Sequence, residues 1–413
     1  MKRIYEAQLD ELLNFFPCVA IIGVRQCGKT TLLHNLPKPW QLYDMEKISD
    51  SDMVSRDPEL FFRLHPTRIA LDEAQLLPEI FPALRVAIDA ERDTTGRFII
   101  TGSSSPDLIS SIAESLAGRV AIIEMAPFTY AEANLQPISG VAQCIAERTP
   151  LANVLTLAPP KDQLQAIHQY WHRGGYPEPW VKNNDRFTRL WMQNYVKTYL
   201  ERDILRLFPG IARQKYKLFL QMLSHLSGTI INYSDVARTL GISPPTARDY
   251  FEIAHGTFIW RKIPPYEKNA QKRIIKHPKG YIRDAGLLHH LLHLNEQEDI
   301  LAHPALGQSW ESMVIENLLR ELNALGVSFE YYYYRTSGGA EVDLILEGDF
   351  GLVPIEIKYG QNISAHSLRS LRDFVKERNC PYGLVINNDE KIRQYDENIL
   401  GIPFGSGIME FTS

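Results

Sequence analysis

Cysteine is scarce in this 413-residue chain: four residues, at 18, 27, 144 and 380, with no Cys-x-x-Cys pair and no metal-ligand spacing among them. That excludes a disulfide framework and a zinc-ribbon scaffold, and it fits a reducing compartment. An excess of positive charge is missing too, since 44 Lys and Arg stand against 49 Asp and Glu for a net charge of −5. A chain coated uniformly for nucleic acid is thereby excluded, so any phosphate-binding face must be local. Nor does any apolar run approach the roughly 20 residues that span a bilayer. The opening MKRIYEAQLDELL carries acids where a secretory leader would be apolar. These absences predict a cytoplasmic protein with no membrane partner. With 45% hydrophobic residues, the chain can bury the cores of roughly two to four domains.

What is present is concentrated in a few stretches. VAIIGVRQCGKTTLL at 19–33 sets an apolar strand, a loop and a helix start in one order, and Gly23, Gly28, Lys29 and Thr30 satisfy G-x-x-x-x-G-K-[ST]. The glycines let backbone amides close around phosphates, Lys29 reaches the β and γ oxygens, and Thr30 ligates Mg2+, with Thr31 completing the nucleotide-binding stretch. ATP and Mg2+ are the cofactors this motif predicts. RIALDEAQ at 68–75 supplies two carboxylates at a strand end. Asp72 is suited to the magnesium shell and Glu73 to polarising the attacking water, the alternative being a helix start whose acids only favour the dipole. RFIITGSSSP at 97–106 ends another strand in small polar residues. There Thr101 or Ser103 contacts the γ-phosphate or the attacking water, unless both serve only the turn. Arg119 precedes a further strand, as an arginine finger toward a neighbouring subunit or as the partner of a surface acid. Strands alternating with helical stretches predict an α/β doubly wound parallel sheet with nucleotide at the carboxyl ends of its strands.

Gly23–Thr31, Leu71-Asp72-Glu73, Thr101-Gly102-Ser103-Ser104 and Leu116-Ala117-Gly118-Arg119 together resemble the motifs of a bacterial and archaeal group of the AAA+ superfamily. In that group the P-loop ATPase is fused to a C-terminal region of unassigned function. YVKTYLERDI at 195–204, PPYEKNAQKRIIKHPKGYIRDAGLLHHLL at 264–292 and GQSWESMVIENLL at 307–319 extend the resemblance over most of the chain. It implies nucleotide-dependent assembly of a homo-oligomer, ring or dimer, and association with mobile elements or genome maintenance, without fixing a substrate.

The middle of the chain reads as helical over 161–212, where FTRLWMQNYVKTYLERDILRLF repeats apolar residues at three- and four-residue intervals. A lid over the nucleotide is its expected role, and GGYPEPW at 174–180 is a candidate hinge or a plain connection. SDVARTLGISPPTARDYFEIA at 234–254 has helix-turn-helix spacing, and FIWRKIPPY after it reads as the wing of a winged helix. Thr246 and Arg248 would then face a DNA groove, although one basic residue on the recognition helix also suits a protein-interaction module. Residues 261–283 hold Arg261, Arg273, Arg283, Lys262, Lys268, Lys272, Lys276 and Lys279 against Glu267 alone. In an acidic protein this predicts a DNA patch with Lys268, Lys272, Arg273, Lys276 and Lys279 on phosphates, the alternative being a solvated face.

GQSWESMVIENLLRELNAL at 307–325 reads as an amphipathic helix, and SFEYYYYR, AEVDLILE and LVPIEIK as an antiparallel meander. Asp343 then lies on one strand, Glu356 and Lys358 share a face of the next, and Glu311 on the preceding helix can complete a magnesium shell. This set resembles the PD-(D/E)XK restriction-endonuclease-like fold. Glu356-Ile357-Lys358 matches its second half, and Val342 stands where its proline would be. The expected fold is thus an AAA+ doubly wound sheet with a helical lid, then a winged helix, then a restriction-endonuclease-like α/β domain. Its boundaries are 1–160, 161–212, 213–295 and 296–413. The expected activity is ATP hydrolysis driving work on duplex or branched DNA, with Glu356 and Lys358 catalytic if the nuclease site is active. The alternative is a nucleotide-switched interaction ATPase with an inactive nuclease-like domain.

Overall fold

The computed structural model describes residues 2–103, 112, 114–159, 164–267, 277–336, 338–361, 363–364 and 366–408. The backbone divides into two compact units, residues 1–128 with 256–258, and residues 129–255 with 259–413. Residues 129–159, placed with the ATPase by the sequence, therefore pack in the second unit. No helix among the described residues is long and apolar enough to cross a membrane.

The first unit is a five-stranded sheet in the order β2-β3-β4-β1-β5: β1 Cys18–Gly23, β2 Gln41–Asp44, β3 Ile69–Asp72, β4 Phe98–Ser103 and β5 Val120–Met125. All its pairings are parallel. A parallel sheet has both faces covered by helices, which is why β1 and β3 are buried at every residue. The helices are α1 Tyr5–Phe15, α2 Lys29–His34, α3 Ile48–Ser55, α4 Pro58–Leu64 and α5 Ile80–Ala90. α5 buries Ile80, Ala83, Leu84 and Ile88, a three- and four-residue recurrence that makes one apolar face. α4 starts with Pro58 behind Asp57, whose carboxylate accepts from the Leu60 amide at 2.9 Å. Between these helices and the sheet, Phe62 meets Phe98 edge-on at 5.5 Å.

The second unit begins, among its longer elements, with α6 Leu164–Arg173 and α7 Asp185–Tyr195, the latter continued by a π-helical stretch, Val196–Asp203. The segment read as a lid thus packs within this unit, where Trp171 lies edge-on to Trp310 at 5.4 Å. Nor is GGYPEPW a loose pivot. A Cβ on Gly174 would lie 2.3 Å from Asp284 Oδ1, and the Gly175 amide donates to Asp284 Oδ2 at 2.8 Å. Three helices follow, α8 Arg213–Leu226, α9 Tyr233–Leu240 and α10 Pro244–Gly256. They accompany an antiparallel sheet in the order β6-β8-β7, from β6 Thr229–Ile230, β7 Trp260–Ile263 and β8 Lys279–Ile282. α10 begins where Ser243 Oγ accepts from the Thr246 amide at 3.2 Å.

A six-stranded sheet completes the unit, in the order β13-β14-β12-β11-β10-β9. α11 Ala285–Leu291 and α12 Leu306–Ala324 precede it. β9 Phe329–Arg335, β10 Glu341–Gly348 and β11 Gly351–Ile357 form an antiparallel meander. α13 Arg369–Arg378 then leads to β12 Gly383–Asn387, parallel to β11, and β13 Arg393–Asp396 pairs antiparallel with β14 Ile399–Pro403. α12 corrects the sequence reading, because it is buried on every side from Ser309 to Leu322 rather than amphipathic. Its polar residues find internal partners instead. Asn317 Oδ1 accepts from the Tyr130 amide at 2.8 Å, and Glu321 accepts from Ser139. Glu316 receives Arg261 and, at 3.1 Å, Arg283, with Arg320 at 3.6 Å.

Burial opposes the charge of Glu316, but the three arginines outweigh it and hold its carboxyl at about 2, against an ordinary value of 4.5. A lowered carboxyl contributes stability above its unfolded value. The Glu316 contribution is therefore complete above pH 4.5 and disappears as pH falls toward about 2. Glu316→Ala leaves three buried guanidinium groups without their shared carboxylate and is expected to cost about 3–5 kcal/mol. Urea denaturation of wild type and variant at neutral pH measures that loss, and the gap between them is expected to narrow on acidification.

Candidate functional site

In the first unit β1 delivers the chain to Gly23 beside β5, where a Cβ would lie 2.0 Å from Met125 O. Only glycine permits that approach, and Gly28 closes the loop at φ +101° just before α2. Lys29 is buried, and its ammonium donates to Gly23 O and Val24 O, each at 3.1 Å. The lysine is thus held across its own loop by carbonyls that phosphate oxygens would replace. Thr30 and Thr31 are exposed on the first turn of α2.

Across the sheet, Asp72 ends β3 and Thr101 lies on the adjacent β4, both almost fully buried. The Thr101 hydroxyl donates to Asp72 Oδ1, which also accepts from the Glu73 amide at 3.2 Å. Those two donors orient the carboxylate toward the strand ends. Glu73 adopts φ +51°, a left-handed conformation that non-glycine residues occupy at a cost of order 1 kcal/mol or more. Its carboxylate accepts from Gln75 Nε2. Ser103 closes β4 opposite Gly23, and its side chain lies outside the described residues. Arg119 donates twice to Asp89, at 2.7 and 2.9 Å, which is the surface pairing weighed against a finger role. The donor set fits a magnesium nucleotide: a hydroxyl at the helix start, a pre-oriented buried carboxylate and a lysine satisfied by exchangeable carbonyls.

Three residues of this site escaped the sequence reading. Asp44 pairs in register with Asp72, so QLYD ends β2 in an acid as IALD ends β3, a pattern that could have been found. Glu46 follows it, its carboxyl raised first by burial and then by the charge of Glu73. Arg3 gave no signal at all. Its guanidinium is buried, donating to Cys27 O at 2.5 Å and Ala126 O at 2.7 Å, and so ties the phosphate loop to the end of β5.

The second unit brings Glu311, Asp343, Glu356 and Lys358 together. Asp343 sits at a register shift of β10, the kind of bulge that re-aims a side chain. Its Oδ2 accepts from the Ile357 amide at 2.8 Å and lies 3.9 Å from Lys358 Nζ. Lys358 also contacts Glu356 Oε1 at 2.6 Å, whereas Glu356 Oε2 is buried with no hydrogen-bond partner. Glu311 is taken by two other groups, Lys279 Nζ at 2.7 Å and the Tyr281 hydroxyl at 2.5 Å. Burial, then the charge of Asp343, raises the carboxyls of both Glu311 and Glu356. A divalent cation does not fit this arrangement: among the described residues no three carboxylate, imidazole or thiol groups are placed to hold a metal ion. The metal set Glu311, Asp343 and Glu356 is corrected accordingly, because a lysine stands among them.

The basic segment is corrected as well. Lys279 is 4% exposed and pairs with Glu311 and Glu341, so it is no surface contact for phosphate. Arg261 and Arg283 are buried on Glu316, and Lys262 pairs with Glu252. Low-dielectric burial forces Lys279, Arg261 and Arg283 onto carboxylates. Lys268, Lys272, Arg273 and Lys276 lie outside the described residues. Thr246 is half-buried and Arg248 exposed on α10, the latter over the Tyr233 ring at 5.4 Å.

Residues 16–134 match the family model of the AAA domain. Residues 164–298 match a domain of unknown function (DUF8612), and residues 306–406 another (DUF4143). Uncharacterized proteins of Mycobacterium tuberculosis and Mycobacterium bovis are each 34% identical over 348 residues, covering 84% of this chain and 71% of theirs. Among solved structures, the Walker-type ATPase PABY2304 of Pyrococcus abyssi is 16% identical, over 70% of this chain and 94% of that one, with a TM-score of 0.45. The Aeropyrum pernix ORC1 protein in complex with DNA is 12% identical, over 71% of this chain and 93% of that one, with a TM-score of 0.28. Both likenesses are too distant to argue from.

Arg3 offers a direct check on how the phosphate loop is held. Arg3→Ala removes the charge-assisted hydrogen bonds to Cys27 O and Ala126 O and is expected to weaken nucleotide binding by about ten-fold. Titration with a fluorescent ATP analogue measures the change. Unaltered affinity would show that the loop keeps its shape without Arg3.

Proposed function

The chain belongs to the family of these two mycobacterial relatives and carries a P-loop ATPase domain of the AAA kind, and from that premise we propose that it is an ATP-hydrolysing, DNA-processing protein. In this reading Lys29, Thr30 and Asp72 hold magnesium ATP, Glu73 orients the attacking water, and Thr101 and Ser103 sense the γ-phosphate. Magnesium would neutralise charge developing between the β and γ phosphates. Arg119 exchanges Asp89 for a neighbour's nucleotide when a ring or dimer assembles.

The DNA assignment is carried by one observation, the convergence of Glu311, Asp343, Glu356 and Lys358 from α12, β10 and the end of β11. The order α12, β9, β10, β11, α13, β12 supports it, being that of a PD-(D/E)XK nuclease core. A winged-helix reading of residues 213–295 is supported by the order α8, β6, α9, α10, β7, β8 and the sheet order β6-β8-β7. DNA would then meet Thr246 and Arg248 on α10, together with Lys268, Lys272, Arg273 and Lys276. A second reading, a nucleotide-switched interaction ATPase with an inactive nuclease-like core, is favoured by the burial of Arg261, Lys279 and Arg283 on internal carboxylates.

ATP turnover measured without DNA and with single-stranded, linear duplex and four-way-junction DNA, at two salt concentrations, separates the readings. DNA processing requires stimulation that one DNA form provides and salt suppresses. Flat turnover across all forms selects the interaction ATPase. Lys29→Ala is expected to lose nucleotide binding, whereas Glu73→Gln is expected to bind ATP and turn it over about a hundred-fold more slowly or less. Equal loss of binding in both would remove Glu73 from its role as base.

A further inference from the structure

Arg186, Arg189, Leu190 and Gln193 of α7 line an open groove of about 410 Å3, which His290 of α11 and Asn295 complete. The four α7 residues recur at three- and four-residue intervals, so one helix face presents them together. Past Arg189 and His290 the groove narrows to a cleft of about 30 Å3, room for about one water molecule, where Arg173 Nη2 donates to Asp185 Oδ1 at 2.7 Å. The wall opposite α7 is fixed from behind. Asp284 caps α11 by accepting from the Leu287 amide at 2.9 Å, the buried His289 lies 2.6 Å from Ser309 Oγ, and His172 Nε2 donates to Asn295 O at 3.1 Å. The groove itself is rich in donors and poor in acceptors. Among the described residues no carboxylate lines it, and the side chains of Arg186, Gln193 and His290 have no hydrogen-bond or ion-pair partner. Arg189 reaches one acid at the rim, Glu296 Oε1 at 2.9 Å, in a pair whose side chains are 42% and 62% exposed. An ion pair so exposed contributes little and is exchanged for a stronger anion. Burial, then the charge of His293, lowers the His290 imidazole, which leaves it neutral with one N–H to give. Leu190, 49% exposed, adds an apolar surface beside the two guanidinium groups.

We propose that this groove is a ligand site for a small phosphorylated molecule of nucleotide size, with Arg186 and Arg189 on its phosphate, His290 and Gln193 donating to it, and Leu190 under its apolar part. Guanidinium groups present only donors, in a fork that matches phosphate oxygens, and two of them three residues apart on one helix face meet the same anion. A nucleic-acid strand would instead need cations spaced along its backbone. The volume falls within the roughly 300–1,000 Å3 of small-molecule pockets. The site uses none of the residues placed above on magnesium ATP or on DNA, and so stands apart from both readings.

Isothermal titration of the full chain with ADP, in magnesium and in EDTA, counts the sites in wild type, Lys29→Ala, Arg186→Gln/Arg189→Gln and Glu296→Gln. Wild type is expected to bind two equivalents in magnesium. Lys29→Ala is expected to keep one, which persists in EDTA and which inorganic pyrophosphate displaces. Arg186→Gln/Arg189→Gln is expected to keep only the equivalent that Lys29→Ala loses, its groove affinity falling at least about ten-fold. Glu296→Gln releases Arg189 from its rim acid and is expected to tighten the groove equivalent about two- to three-fold, a gain that a merely structural role for these residues does not give. Arg186, Arg189 and Glu296 are exposed, so the substitutions leave the core untouched. A single equivalent in wild type that Lys29→Ala abolishes overturns the proposal, as does a second equivalent that Arg186→Gln/Arg189→Gln leaves unchanged. An oligothymidylate bound by Lys29→Ala through the two arginines, with neither ADP nor pyrophosphate competing, overturns it in favour of a nucleic-acid strand.

Discussion

A charge taken out of water has to be met by another, and in the second unit that constraint decides where half of the chemistry goes. α12 is buried on every side yet carries Glu311, Glu316, Asn317, Arg320 and Glu321. Each unpaired ion in such a place would cost several kcal/mol. Glu316 therefore draws in Arg261 and Arg283, and Glu311 draws in Lys279. The strands β7 and β8 that supply these cations are thereby bound to the helix that precedes the six-stranded sheet. Arg261, Lys279 and Arg283, which look like basic surface in the sequence, become part of the ionic interior of a domain.

The phosphate loop works under the opposite condition, because its charges have to be ready for a ligand. Lys29 is buried but among the described residues pairs only with two neutral carbonyls, which a phosphate can displace without leaving a stranded carboxylate. Asp72 is held by a hydroxyl and an amide. Among the described residues no cation pairs with Asp72, whereas Glu311 and Asp343 of the second unit face Lys279.

Much of the first unit was legible in the chain. The glycines and lysine of GVRQCGKT, the apolar runs ending in Asp72 and Thr101, and their alternation with helical stretches pointed to the parallel sheet and to residues at its strand ends. In the second unit Gly241, Ser243 and Pro244 marked the break between α9 and α10, and three strand-like runs marked the meander. Arg3 was not legible, because nothing in MKRIYE shows that its third residue reaches a loop 24 positions away. The bulge at Asp343 was hidden for a similar reason, since an alternating pattern cannot show where one strand gains a residue on its neighbour.

Local order can be read along the chain: which runs become buried strands, where a glycine allows close approach, and which carboxylates follow strands. These are properties of neighbours along the chain, set by side-chain period, backbone sterics and turn chemistry. Which charges meet is settled by the packing of distant segments. Lys279 sits 32 residues from Glu311 and Arg261 sits 55 from Glu316, and no spacing rule links them. Whether a lysine is a phosphate contact or an internal counter-ion depends on the dielectric around it and on the carboxylate it finds there, and both exist only once distant segments have packed.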